Sequence, residues 1–239
     1  EYMNIGIICP SEIALRRFMP ALQNIPELTF AGIGVASAEE WFGDEIPDRE
    51  IVEETLKIQR EKAQEFTTQY GGTIYDSYES LVTAQNLDAV YLPLPPALHY
   101  KWAKKALESG KHVLVEKPST VSAQDTADLA ALAEEKGLAL HENYMFAFHK
   151  QLEAIQETVA SGEIGEIRLY RVSFGFPRRA AGDFRYNKEL GGGALIDAGG
   201  YTLKYASMLL GTGAKVRYAQ LNALDGFEVD MYGSGALTN

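Results

Sequence analysis

The sequence predicts an α/β chain: a doubly wound parallel sheet first, then a C-terminal α+β part with a large, mostly antiparallel open sheet. Three observations carry this expectation. Short apolar runs rich in β-branched residues alternate with helically spaced stretches up to about residue 143. Repeated β-α-β units require a parallel sheet with helices on both faces. After Tyr144 the rhythm changes to long strand-like runs with few helices between them, the pattern of an antiparallel sheet.

The elements follow in order. Asn4–Cys9 reads as the first strand, followed by a helix from Ser11 to about Gln23. Leu28–Val35 is the second strand, and Thr73–Tyr75, Ala89–Leu92, His112–Val115 and Ala139–Asn143 are further strands. Trp102, Ala103, Ala106 and Leu107 share one helical face, and Gly110 is placed to end that helix. Ser122 with Asp125 reads as a capping box opening a helix that ends near Gly137. Between Ser37 and Tyr70 the connection is unusually long. It begins with acidic residues (Glu39, Glu40, Asp44, Glu45, Asp48, Glu50, Glu53, Glu54), after which Val52, Leu56, Ala63, Phe66 and Tyr70 fall at helical spacing. This predicts a loop insertion and a long helix, with the acidic run a solvated face rather than a binding surface.

In the second part a helix from about Lys150 to Ala160 ends at Ser161-Gly162. Strand-like runs follow at Glu166–Phe176, Lys215–Ala223 and Glu228–Leu237, with a glycine-rich loop and a helix over Gly199–Leu210 between the first two. No element closes the last run, so the sheet reads as incomplete. The expected division is 1–143 for a dinucleotide-binding domain and 144–239 for a substrate and oligomerisation domain.

Bulk properties narrow the function. A hydrophobic content of 46% and a charged content of 23% are those of an ordinary globular chain. A net charge of −11 argues against nucleic acid or an anionic membrane as the main partner, though a small anionic ligand needs only a local positive site. Cys9 is the single cysteine, which excludes an intrachain disulfide and points to a reducing compartment, the cytoplasm. No apolar run is long enough to span a bilayer, and no secretion signal is visible.

The first βα turn, where a dinucleotide fold carries G-x-G-x-x-G, reads Cys9-Pro10-Ser11-Glu12-Ile13-Ala14. Only Ala14 fits its position; Cys9 and Ser11 stand where glycines normally allow a pyrophosphate close to backbone N–H groups. By itself the turn fits a nucleotide site and a plain strand-to-helix connection equally well. After the second strand, Ala36-Ser37-Ala38 holds neither an acid for ribose hydroxyls nor an Arg for a 2′-phosphate. The acidic insertion would repel a 2′-phosphate if it lay close, so the cofactor reads as NAD or NADP with the balance towards NAD.

Glu116-Lys117-Pro118 follows a parallel strand at its carboxyl end, where such folds bind ligands. A Lys there can hydrogen-bond a substrate hydroxyl and stabilise a developing alkoxide; a solvated surface Lys is the bland alternative. In the run Gly191–Tyr201, Asp197 and Tyr201 are spaced i, i+4 and share a face if both are helical. A Lys lowers the cost of phenolate, so Lys117 with Tyr201 is an acid/base pair suited to alcohol oxidation, unless Tyr201 is a packed core residue. Arg178, Arg179 and Arg185 cluster before the glycine run and could hold a phosphate or carboxylate, with ordinary surface arginines an equal alternative. Tyr144 is placed with them as a substrate-facing residue. His141-Glu142 is followed by Met145 where a zinc-protease motif needs His, and no metal site is expected.

Taken together, Leu92-Pro93-Leu94-Pro95-Pro96-Ala97-Leu98-His99, Gly110 through Pro118, Ser161-Gly162-Glu163-Ile164-Gly165-Glu166-Ile167, Phe184-Arg185-Tyr186 and the Gly191–Tyr201 run resemble the Gfo/Idh/MocA family of oxidoreductases. The resemblance implies an N-terminal Rossmann domain, a C-terminal sheet that packs between subunits as a homodimer or homotetramer, and NAD(P)-dependent hydride transfer to or from a hydroxyl carbon. The substrate would be a sugar, nucleotide-sugar or cyclitol. By matching position Lys117 would be the catalytic Lys, Asp197 the carboxylate beside it, and Tyr201 the residue where many members have His. The loop with Pro93, Leu94 and Pro95 would border the nicotinamide, with His99 after it. Cys9, Pro10, Ser11, Glu12 and Ile13 of the altered turn, Ser37 after the second strand, and Glu116 and Lys117 would bind the cofactor. Three features depart from the family pattern: Cys9 and Ser11 in place of glycines, the insertion after Ser37, and members that continue past the point equivalent to Asn239. The altered turn leaves a second function open, a non-catalytic nucleotide- or sugar-sensing regulator on the same fold. Retention of Lys117, Asp197 and Tyr201 argues for the enzyme.

Overall fold

The computed structural model describes residues 2–211 and 213–239, which fall into two compact units, Glu1–Glu142 and Asn143–Asn239. In the first unit, strands β1 (Met3–Ile7), β2 (Leu28–Gly34), β3 (Thr73–Tyr75), β4 (Ala89–Leu92), β5 (His112–Glu116) and β6 (Leu140–Asn143) form one sheet in the order β3-β2-β1-β4-β5-β6. The pairings β1·β2, β1·β4, β2·β3 and β4·β5 are parallel. The strand order reverses at β1, so a crevice opens at the carboxyl ends of β1 and β4, the ligand-binding place of such sheets.

Two-sided burial explains the sequence of these strands. Ile8, Val90, Leu92, Val113 and Val115 face one core with α4 (Tyr78–Val82), α5 (Pro96–Glu108) and α6 (Ala123–Lys136). Ile5, Ile7, Phe30, Ile33, Ala89 and Tyr91 face the other, against Ala14, Met19 and Leu22 of the first helix and Ala63 and Phe66 of α3 (Arg49–Tyr70). Neighbours such as Ile7 and Ile8, or Val90 and Tyr91, point to opposite faces, so both must be apolar. Each fully buried aliphatic side chain contributes about 1.5–3 kcal/mol of transfer free energy.

The connections use local chemistry. The first helix opens at Ala14–Phe18 in wider π-type turns and continues as α1, Met19–Leu22. The insertion holds a short helix, α2 (Ala38–Phe42), and then the 22-residue α3. Seven of its eight acidic residues are exposed, as a solvated face requires; Glu40 is half-buried. Ser122 Oγ accepts the Asp125 N–H at 3.3 Å, the forward half of the expected capping box, and Gly137 ends α6 in the left-handed region. Lys111, buried before β5, donates Nζ to the Leu87 carbonyl at 2.8 Å.

In the second unit α7 (Lys150–Ala160) and α8 (Gly200–Leu210) are joined by irregular chain, and β7 (Lys215–Ala223) pairs antiparallel with β8 (Asp230–Thr238). The strand expected over Glu166–Phe176 does not form. Its alternation is strand-like, but a strand exists only through ladder hydrogen bonds, and among the described residues no strand pairs with this segment. Among the described residues, no helix is long and apolar enough to cross a membrane.

Gly34 ends β2 beside the crevice, and a Cβ there would lie 2.5 Å from the Ile8 carbonyl oxygen. Gly34→Ala is therefore expected to cost roughly 1–3 kcal/mol, read as a lower urea midpoint. An unchanged midpoint would mean that the two strands separate freely at this point.

Candidate active site

At the carboxyl end of β1 the chain turns through Cys9, Pro10 and Ser11. Ser11 Oγ accepts the Ala14 N–H at 3.2 Å, while Glu12 and Ile13 are exposed on the first helical turn, where N–H groups have no intrahelical acceptor. Glu12 pairs with Arg16 at 2.6 Å. Cys9 and Ser11 are accommodated because the backbone needs no glycine here: among the described residues, positive φ occurs only at glycines, none of them in this turn. The Cys9 thiol turns inward, 3.5 Å from the Pro93 carbonyl oxygen. Burial pushes its pKa up to about 12, against a smaller downward pull from Lys62. The turn therefore leaves its outer backbone edge and first-turn N–H groups for a pyrophosphate, which fits a dinucleotide.

His99 ties the next two segments together. It is fully buried, with Nδ1 2.7 Å from the Pro118 carbonyl oxygen and Nε2 2.8 Å from the Leu94 carbonyl oxygen. A neutral imidazole donates to one of them, and only the imidazolium could donate to both. Burial prevails and holds its pKa below the usual value, against the pull of the two carbonyls and Glu116. The ring thus fixes the loop with Leu94 and Pro95, which caps α5, to the turn carrying Lys117. Glu116 accepts the Tyr91 hydroxyl at 2.7 Å, and burial followed by the Glu116 charge pushes the Tyr91 pKa up. The Lys117–Pro118 peptide is cis. His99 thus serves here to position the loop and the turn.

Ser37, the expected ribose contact, caps α2: its Oγ accepts the Glu40 N–H at 3.2 Å, and its own N–H donates to Glu40 Oε2 at 2.8 Å. Sequence reasoning passed over Lys57 and Arg60, which line a cleft with Ser37. Nothing in the spacing of α3 marks them, because what distinguishes them is the approach of α3 to β2.

In the second unit Asp197 is buried just before α8 and accepts Arg185 Nε at 2.7 Å. Arg185 Nη1 also reaches Asp183 at 3.1 Å. Burial disfavours the guanidinium charge, but Asp197 and Asp183 outweigh it and the Arg185 pKa is raised. Arg178 lies over the Phe227 ring at 4.8 Å and Arg179 over Phe176 at 5.3 Å, so the three arginines have separate partners. Tyr201 packs at 4.7 Å against Phe174, 5.6 Å from Tyr144 and 5.9 Å from Phe146. Tyr144 is buried, and a Cβ on Gly200 would collide with its hydroxyl. Phe146, Phe174 and Gly200 were not singled out from sequence: residues this far apart in the chain are brought around one ring only by folding. Asp183 was also missed, although an Asp two residues before an Arg-bearing turn is a readable local cap.

Arg185→Ala removes the guanidinium from two carboxylates, one of them buried, and is expected to cost about 1–3 kcal/mol in chemical denaturation. Arg185→Lys should restore only part of this, since a point charge cannot reproduce the planar fork. Equal stability of all three proteins would refute the pairing. The Cys9 thiol should resist a disulfide exchange reagent at pH 8 in native protein and react at once in denaturant; rapid native reaction would contradict its burial.

Residues 28–144 match a family model described as the oxidoreductase family with an NAD-binding Rossmann fold, and residues 152–239 match the GFO/IDH/MocA C-terminal domain. The chain is 39% identical over 98% of its length to the dTDP-3,4-didehydro-2,6-dideoxy-alpha-D-glucose 3-reductase of Streptomyces violaceoruber, covering 62% of that protein. It is 40% identical over 69% of its length to the D-xylose 1-dehydrogenase (NADP(+)) 2 of Haloferax volcanii, covering 50% of it. A 3-ketoreductase from Actinomadura kijaniata, solved in complex with NADP and TDP-benzene, matches all of this chain with a TM-score of 0.86 and 35% identity, over 66% of its own length. The chain thus spans less than two thirds of these relatives. It belongs to the Gfo/Idh/MocA oxidoreductase family.

Proposed function

We propose that this chain forms the greater part of an NADPH-dependent reductase that converts a ring ketone of a nucleoside-diphosphate sugar to a hydroxyl. One observation carries the reading furthest. Solved structures of the Actinomadura kijaniata 3-ketoreductase include single replacements of one lysine and of one tyrosine, spaced along that chain as Lys117 and Tyr201 are here. The preference for NAD read from the sequence gives way to NADPH, because that ketoreductase is bound to NADP and the Haloferax volcanii relative is named for NADP(+).

The nicotinamide, when bound, supplies the hydride to the carbonyl carbon. Lys117 Nζ donates a hydrogen bond to the carbonyl oxygen and stabilises the alkoxide that develops there. Tyr201 is the candidate donor of the proton that completes the hydroxyl, its own proton being regained from solvent. The aromatic rings around Tyr201 pack against its ring and restrict where the phenol can point, as such a transfer needs. Asp197, held by Arg185 just before α8, is a candidate substrate-orienting group. Arg178, Arg179 and Tyr144 stay candidates for the nucleotide-sugar end. The sheet β7·β8, with Val216, Tyr218 and Tyr232 exposed, is the candidate for subunit contact.

The test is reduction of a dTDP-keto-sugar, followed as loss of NADPH absorbance. Lys117→Ala should keep NADPH binding and lose turnover by roughly 10²–10⁴-fold. Wild-type turnover in that variant would remove Lys117 from the mechanism. Dinucleotide binding without turnover on any keto-sugar would favour the sensing function instead.

A further inference from the structure

Beyond Gly34 the chain runs through Val35, Ala36 and Ser37 before α2 begins. A cleft of about 370 Å³ opens beside this segment. Glu53, Leu56, Lys57 and Arg60 of α3 line it, and so does Asp76 just past β3. In a sheet of this order the adenosine ribose of a dinucleotide lies at the carboxyl end of β2. A 2′-phosphate on that ribose needs a cation, and Ala36-Ser37-Ala38 supplies none.

The cations come from α3 instead. Lys57 and Arg60 are spaced i, i+3 and so are neighbours on one side of the helix. Arg60 pairs through Nη2 with Asp76 Oδ1, which holds the guanidinium at the cleft and leaves its other N–H groups to donate. Of the eight acidic residues of the insertion, only Glu53 lines the cleft. The Glu40 carboxylate accepts the backbone N–H groups of Ser37, Tyr78 and Glu79, and Glu39 accepts the Ser37 hydroxyl. Glu53 is engaged by Arg49 at 2.5 Å. Asp44, Glu45, Asp48, Glu50 and Glu54 are exposed and do not line the cleft.

We infer that Arg60, with Lys57 beside it, recognises the adenosine 2′-phosphate of NADP(H), so that the helix following the insertion replaces the loop after β2 as the source of the cation. The inference rests on the reductase reading above and assigns its cofactor specificity to residues of this chain.

The experiment is titration of the full chain, stripped of nucleotide, with NADPH, NADH, adenosine 2′-monophosphate and adenosine 5′-monophosphate, following nicotinamide fluorescence or heat. The wild type should bind NADPH more tightly than NADH, and the 2′- more tightly than the 5′-monophosphate. Arg60→Gln should lose about tenfold or more in NADPH affinity, with a far smaller change for NADH, and Lys57→Gln should lose less. Both variants change exposed side chains, and circular dichroism checks that each is folded. An unchanged NADPH-to-NADH ratio in the folded double variant would overturn the assignment. So would a wild type that prefers NADH, which would also return the cofactor of the reductase reading to NADH while leaving its reaction intact. Failure of the wild type to bind either dinucleotide would overturn both.

Discussion

A parallel sheet cannot leave a face in water, and most of the first unit follows from that constraint. Its strands cannot be joined by hairpins, so each connection crosses a face, and the helices that do the crossing cover it. The two apolar clusters are the consequence: Ile8, Val90 and Val115 on one side, Ile7, Ile33 and Tyr91 on the other. Because every strand points the same way, every strand ends on the same edge. Cys9, Ser37, Leu94 and Lys117 all follow the carboxyl ends of strands and so come to one rim from four separate stretches of sequence.

The polar groups at that rim mostly serve each other. His99 joins the Leu94 loop to the Lys117 turn, Tyr91 holds Glu116, and Glu40 gathers three backbone N–H groups between the end of β2 and α4. Such groups are costly to bury singly and inexpensive as satisfied networks. The result is a rigid frame in which Lys117 is positioned by neighbours that need not touch substrate. Arg185 plays the same part for Asp197 in the second unit, and the rings of Tyr144, Phe146 and Phe174 do so for Tyr201.

The substitution of Cys9 and Ser11 for glycine shows why a motif is best judged by the backbone it serves. Glycine matters where φ must be positive or where a Cβ would collide. At Cys9 neither holds, since the thiol fits inward against Pro93 and the turn stays in ordinary backbone regions. At Gly34 and Gly200 a Cβ would collide, with the Ile8 carbonyl and the Tyr144 hydroxyl respectively. The turn has lost the letters of the motif and keeps an ordinary strand-to-helix backbone.

Features set by neighbours along the chain were legible in the amino-acid order: the β-α alternation, the long helix after the insertion, the Ser122 and Gly137 caps, and the family pattern around Lys117, Asp197 and Tyr201. These are readable because period, capping and turn chemistry are local. What the charges face depends on how distant segments pack. That packing set Arg185 against Asp197, Arg178 and Arg179 over aromatic rings, and Lys57 and Arg60 beside Ser37, with Asp76 paired to Arg60 and Glu53 to Arg49, while Glu40 turned to backbone N–H groups. It also left Glu166–Phe176 without a ladder despite its strand-like alternation. Pairing across a sheet and charge complementarity across a cleft both join residues remote in sequence, and one-dimensional spacing carries no information about which remote residues will meet.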